Sequence, residues 1–151
     1  MDLRTALPLL LPDAVAWAEE QANQAAVSGR SLNECEREIA RSVGVRDPER
    51  IRVVLVDALP LPEKPALRAV ALETGLLGPD MVGLTLGYSV FIRRGYETMR
   101  LLSHEFRHVY QYKQAGSIAA FLPVYLHQIV QSGYAAAPFE QDAIAHERVD
   151  L

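Results

Sequence analysis

The run His104-Glu105-Phe106-Arg107-His108 constrains this chain more than any other stretch. It lies in a segment that reads as one helix from about Met99 to Ala115, closed by Gly116. Four residues advance a helix by about 400°, so the two imidazoles point the same way within about 40° and lie about 6 Å apart along the axis. Both can then reach one Zn²⁺ at about 2.0–2.1 Å. Glu105, turned about 100° from His104, stands beside such a metal rather than on it, where a general base belongs. Two histidines do not complete a catalytic zinc site, which takes three protein ligands and keeps a position open for water. A fold built on this helix must therefore bring a third ligand to it.

The first third of the chain reads as two helices. Asp13 is an N-cap for an Ala-rich helix running to about Val27, and Gly29 stops it. Ser31 opens the next, with Glu34 three residues on as a capping box. Leu32, Cys35, Ile39 and Val43 share one helical face, which assigns Cys35 to the core as a small apolar residue. Ile51 to Val56 is a β-branched strand, and a Pro-rich loop and a short helix from about Ala66 to Thr74 follow. Residues 82–93 read as one long strand, in which Gly83 and Gly87 predict a bulge or a close backbone approach. After the motif helix, Ser117 caps a helix that carries Pro123 and ends near Gly133, and Pro138 opens a last one. The expected architecture is a single α+β domain over 1–151. A helical pair spans 1–45; a small, partly antiparallel sheet of two or three strands and the metal-site helices occupy 46–151, with about six helices in all.

Composition narrows the function classes. Fifteen basic residues against 19 acidic ones leave a net charge of −4, with no reason to expect nucleic acid as a partner. The one cysteine, Cys35, can form neither an intrachain disulfide nor a thiolate metal cage. No apolar run approaches the roughly 18 residues of a membrane span, so no membrane partner is expected. Leu7 to Leu11 is too short for a secretory signal, Pro8 and Pro12 break it, and Asp2 stands where basic residues belong. A cytoplasmic location is the expectation.

Candidates for the third ligand all lie downstream: His127 in the Pro123 helix, and Glu140, Asp142, His146 and Glu147 in the last. The H-E-x-x-H motif followed by a carboxylate helix that opens Pro138-Phe139-Glu140-Gln141-Asp142-Ala143 resembles the zincin superfamily. It is similar in particular to the gluzincin branch, including small bacterial members whose second element reads Glu-x-x-Ala. The likeness covers 82–93, the motif helix and the C-terminal helices. It implies His104, His108 and Glu140 as ligands of one Zn²⁺ per chain, and Glu105 as catalytic base. Where gluzincins commonly carry Asp or Asn four residues after the ligand Glu, this chain has Ile144. Asp142 or another group then orients a zinc-bound His, or Asp142 is itself the ligand. Glu140 and Asp142 are about 200° apart on a helix and cannot both face the metal.

The resemblance implies a zinc metallopeptidase acting on a peptide or protein. Tyr134 is the tyrosine best placed to donate to an oxyanion, while Tyr110, Tyr112 and Tyr125 belong to a core edge. An extended substrate would pair with strand 82–93, a reading that fails if the strand is central and paired on both sides. The alternatives are a non-catalytic zinc-binding or interaction module, and an enzyme held inactive until a regulatory protein partner opens its cleft.

Overall fold

The computed structural model describes residues 2–151. Six α-helices and three strands follow in the order α1 (Leu3–Ser28), α2 (Glu34–Ser42), β1 (Arg52–Val56), α3 (Pro65–Glu73), β2 (Gly83–Leu86), β3 (Ser89–Arg93), α4 (Met99–Ala115), α5 (Ile118–Ser132) and α6 (Pro138–Ala145). A 3₁₀ turn at Pro48–Arg50 precedes β1. The architecture is α+β with a three-stranded mixed sheet in the order β1-β3-β2; β3 runs parallel to β1 and antiparallel to β2.

Residues 82–93 are thus a hairpin and not one strand. Leu86 pairs with Ser89, leaving Gly87 and Tyr88 as a two-residue loop, and Gly87 has φ +66. A positive φ at the first loop position is what a tight II′ hairpin demands, and glycine supplies it without a steric cost. The hairpin makes β3 central and β2 an edge, so of these two strands β2 is the one that retains a side on which an extended chain could pair.

Side chains alternate across the strands and divide the core in two. Val54, Val56, Leu84, Leu86 and Phe91 face α1, α3 and α5. Val53, Leu55, Val90 and Ile92 face α2 and α4, where Phe106 is fully buried. The same alternation turns Gly83 and Thr85 away from the first cluster and toward Glu105 on α4. Thr98 caps α4 by accepting from the Leu101 amide, and α4 packs on both β2 and β3, with α2, α5 and α6 around it.

The N-terminal half departs from expectation in three places. The first helix begins at Leu3 on an Asp2 cap, not at Asp13, and continues through Pro8 and Pro12. An interior proline costs a helix about 3 kcal/mol. Burial of Ala6, Leu7, Ala14, Ala18 and Ala25 along one side, with α5 and the sheet as partners, outweighs it. The capping box of α2 is Asn33 with Glu36, not Ser31 with Glu34, because Arg30 grips both oxygens of Glu36 at 2.8 and 2.9 Å and holds that register. The shift moves the buried stripe to Glu36, Ile39 and Ala40, and Cys35 lies on the exposed side.

Among the described residues, no helix is long and apolar enough to cross a membrane.

Candidate metal centre

One turn of α4 carries His104, Glu105 and His108, all held low in solvent exposure by the helices around them. The turn that follows the α5 helix brings α6 alongside, and Glu140 in its first turn is buried to 1% exposure. His104 Nε2 lies 3.1 Å from Glu140 Oε1, and His108 Nε2 lies 2.9 Å from Glu140 Oε2. One ligand atom from each of the three falls within 4.8 Å of the others. Donors at about 2.0–2.1 Å around a tetrahedral ion stand about 3.3 Å apart, close to the two His–Glu distances here. The buried His104, His108 and Glu140 group could hold a metal ion.

Electrostatics describe the same convergence. Burial pulls the His104 pKa down, but its hydrogen bond to Glu140 and the charges of Glu105 and Glu140 outweigh that and push it up to about 9. His108 follows the same logic, lowered by burial and raised further by Glu140 and Glu105. Burial acts to raise the Glu140 pKa, yet hydrogen bonds from His104, His108 and Tyr125 hold it well below the usual carboxylate range. The two imidazoles and the carboxylate thus favour one another's charged forms.

Each histidine is oriented through its other nitrogen. His104 Nδ1 is 3.0 Å from Glu147 Oε2, and His108 Nδ1 is 2.8 Å from Gln111 Oε1. Gln111 in turn donates to the Phe139 carbonyl at 2.9 Å and to Asp142 at 2.8 Å. Arg107 donates to Asp142 through Nε at 2.8 Å and to the Val43 carbonyl at 2.7 Å, tying α6 and the end of α2 to the motif helix. Partners of this kind fix the tautomer and ring orientation of a metal-bound His.

Glu105 is buried but stands outside the ligand set. Thr85 Oγ1 donates to its Oε1 at 2.8 Å, and its Oε2 is 4.0 Å from His104 Nε2. Gly83 makes room for this carboxylate: a Cβ there would lie 2.9 Å from Oε2. The close approach expected of a strand glycine is thus to Glu105, while the second glycine makes the hairpin turn.

The structure brings His104, Glu105, His108 and Glu140 together, with Glu147 against His104 Nδ1 and Tyr134 beside Glu140, and separates Asp142, His127 and His146 from them. Asp142 faces Arg107 and Gln111, and reaches His108 only through Gln111, two hydrogen bonds away. His127 lies in a separate recess with Arg4, Leu7 and Pro8, and His146 turns back to the Asp142 carbonyl. Tyr134 is half-buried beside Glu105 and Glu140, and burial with those charges pushes its pKa up. Tyr125 is more than core-edge packing: its hydroxyl donates to Glu140 Oε2 at 2.7 Å.

Sequence reasoning passed over Thr85, Gln111 and the role of Tyr125. Gln111 was within reach of helix arithmetic, since it follows His108 by three residues on the same helix. Thr85 and Tyr125 carried no local signal. A scan against protein-family models finds no match to this chain, and comparison with curated proteins and with solved structures finds none either.

Proposed function

We propose that the chain is a zinc-dependent hydrolase, a zincin-like metallopeptidase that is gluzincin-like in drawing its third ligand from a separate helix. The observation that carries this reading is the convergence of His104, His108 and Glu140 beside a buried carboxylate, Glu105, that is not one of the ligands. A purely structural site has no use for that fourth group.

His104, His108 and Glu140 would hold the ion. When bound, zinc lowers the pKa of a coordinated water to about 7 and polarises a carbonyl oxygen. Glu105 moves the proton: with Oε1 occupied by Thr85, Oε2 takes a proton from the attacking water and gives it to the leaving amine. Tyr134, lining the cleft beside Glu105 and Glu140, donates to the oxygen on which charge develops. Glu147 and Gln111 keep the two rings aimed, and burial of the group limits access of bulk water. A peptide running along the free side of β2 would pass Gly83 and present its carbonyl to this group.

The test is zinc content and peptide hydrolysis in the wild type and in Glu105→Gln. The expected result is about one zinc per chain in both, with hydrolysis lower by about 10²–10⁴-fold in the variant. A second reading, a non-catalytic zinc module, has one observation in its favour: Glu140 links α6 to two histidines of α4 and to Tyr125 of α5. A chain that binds zinc, cleaves no peptide and is unchanged by Glu105→Gln would establish that reading instead.

A further inference from the structure

An apolar chamber bounded by β2, α1, α3 and α5 borders the metal group on one side. Among the described residues, no bond that aims a histidine comes from α1 or α3; such bonds come from α4 and from the tail after α6. Followed outward, they form two arms, and both end on the last turn of α2. The first starts at His108 and passes through Gln111, Asp142 and Arg107 to the Val43 carbonyl. The second starts at His104 and passes through Glu147 to Arg148, whose guanidinium donates to the Ser42 carbonyl at 3.0 Å.

Donor and acceptor chemistry sets the direction of the first arm. Gln111 has two N–H donors, and they go to the Phe139 carbonyl and to Asp142, groups that only accept. Its oxygen is therefore the atom that faces His108, whose Nδ1 must carry a proton and whose Nε2 is left to meet a cation. Asp142 stays in place because Arg107 grips both of its oxygens, at 2.8 and 3.3 Å, and uses its remaining nitrogen on Val43. A lysine has the charge but not the fork. In the second arm the Arg148 amide donates to Ser103 Oγ at 2.8 Å, which fixes the peptide joining Glu147 to Arg148 against a fully buried residue of α4. The end of a helix suits both guanidiniums, since its last carbonyls lack partners within the helix and carry the negative pole of its dipole. Gly44 leaves the space for this approach. It has φ +107, and a Cβ there would lie 3.1 Å from Arg107 Nη1 and 2.8 Å from the Tyr110 ring.

We propose that the C-terminal turn of α2 positions both histidines of the metal centre, with Arg107 acting on His108 and Arg148 acting on His104. The inference rests on the metal centre of the reading above and is independent of whether the chain hydrolyses a peptide. It gives α2, which contributes no ligand and lies outside the part of the chain that resembles the zincins, a share in holding the metal. Coupling of this kind is reciprocal: if the turn steadies the ligands, zinc steadies the turn by the same factor.

Zinc alone, added to the full chain, is the probe. The amides of Val43, Gly44 and Val45 are bonded to the Ala40 and Arg41 carbonyls and report on the turn. In the wild type they should exchange with deuterium about tenfold more slowly once zinc is bound. The Gly29 amide, at the end of α1, should slow by much less. Equal slowing at the two helix ends, or none at α2, overturns the proposal and leaves the metal centre standing. Competition with a chelator should show zinc held about tenfold more weakly by Arg107→Lys. Arg148→Ala should lose less, because Ser103 still holds the amide of that residue. Nitrogen NMR signals of the zinc-loaded imidazoles separate positioning from general loosening. Arg107→Lys should move the signals of His108, and Arg148→Ala those of His104, each leaving the other ring unchanged. Movement of both rings by either variant, or of neither ring, overturns the proposal. A wild-type chain that takes up no zinc overturns the metal centre, and this proposal with it.

Discussion

The two helical layers on either side of the sheet are built by different means. On the α2–α4 side, directional polar bonds join the elements to each other and to α6. Arg107 reaches Val43 and Asp142, Gln111 reaches Phe139 and Asp142, and Arg148 reaches Ser42 and Ser103. On the α1–α3–α5 side, contact is mainly apolar, through Ala18, Leu67, Phe121 and their neighbours, with an exposed Lys64–Asp13 pair at the surface. A hydrogen bond fixes direction and distance, while apolar packing fixes volume. The first layer can therefore aim ligand atoms, and the second can shape a space. Metal affinity and fold stability should separate along the same line.

The largest effect tests the aimed layer directly. Glu140→Ala removes the group on which both histidines converge, and zinc content by atomic absorption should fall from about one per chain to near zero. Undiminished zinc would remove Glu140 from the site and dissolve the contrast between the layers. Next comes the packed layer. Phe121→Ala, at a side chain 2% exposed, should lower unfolding stability by about 3–5 kcal/mol in urea titration. The fraction that remains folded should bind zinc as the wild type does. A smaller effect is expected behind the ligands: Gln111→Ala leaves His108 Nδ1 without its partner and should weaken zinc about 10–100-fold in competition with a chelator. Thermal stability of that variant without metal should change far less than that of Phe121→Ala.

The smallest concerns pH and lies away from the metal. The hydrogen bond from Arg30 holds the Glu36 pKa below its ordinary value of about 4.3, against the effect of burial. A depressed folded-state pKa means a contribution present above the unfolded value and lost as pH falls through the folded one. The melting temperature of the wild type should therefore drop more steeply than that of Glu36→Gln below about pH 4. Parallel curves would show that the Arg30–Glu36 clamp does not hold the N-terminus of α2.

The motif helix was legible because helical periodicity is local: Thr98, the apolar face through Phe106 and Gly116 all lie within one segment. The hairpin was misread because residues 82–93 are apolar on both sides of Gly87, and an unbroken apolar run does not reveal where it folds back. The first helix was read too short because Pro8 and Pro12 are helix-breaking by themselves, and only burial against α5 reverses that. Cys35 was placed inside because it falls at helical spacing with Leu32, Ile39 and Val43, which are buried. α2 begins only after Asn33, so Leu32 lies outside the helix and the buried face passes through Glu36, Ile39 and Ala40 instead.

The sequence by itself determined that two imidazoles and a carboxylate share one turn of a helix, because spacing along a helix is a property of the backbone alone. It also limited the third ligand to a few downstream residues. Only the tertiary structure decided that Glu140 closes the group, that Thr85 and Gly83 define the position of Glu105, and that Tyr125 reaches the buried carboxylate. These contacts join residues 15 to 36 positions apart, and they exist only where sheet alternation and helix packing superimpose. No local periodicity encodes that superposition, and the apolar chamber beside the site is likewise a product of layers that meet only in the folded chain.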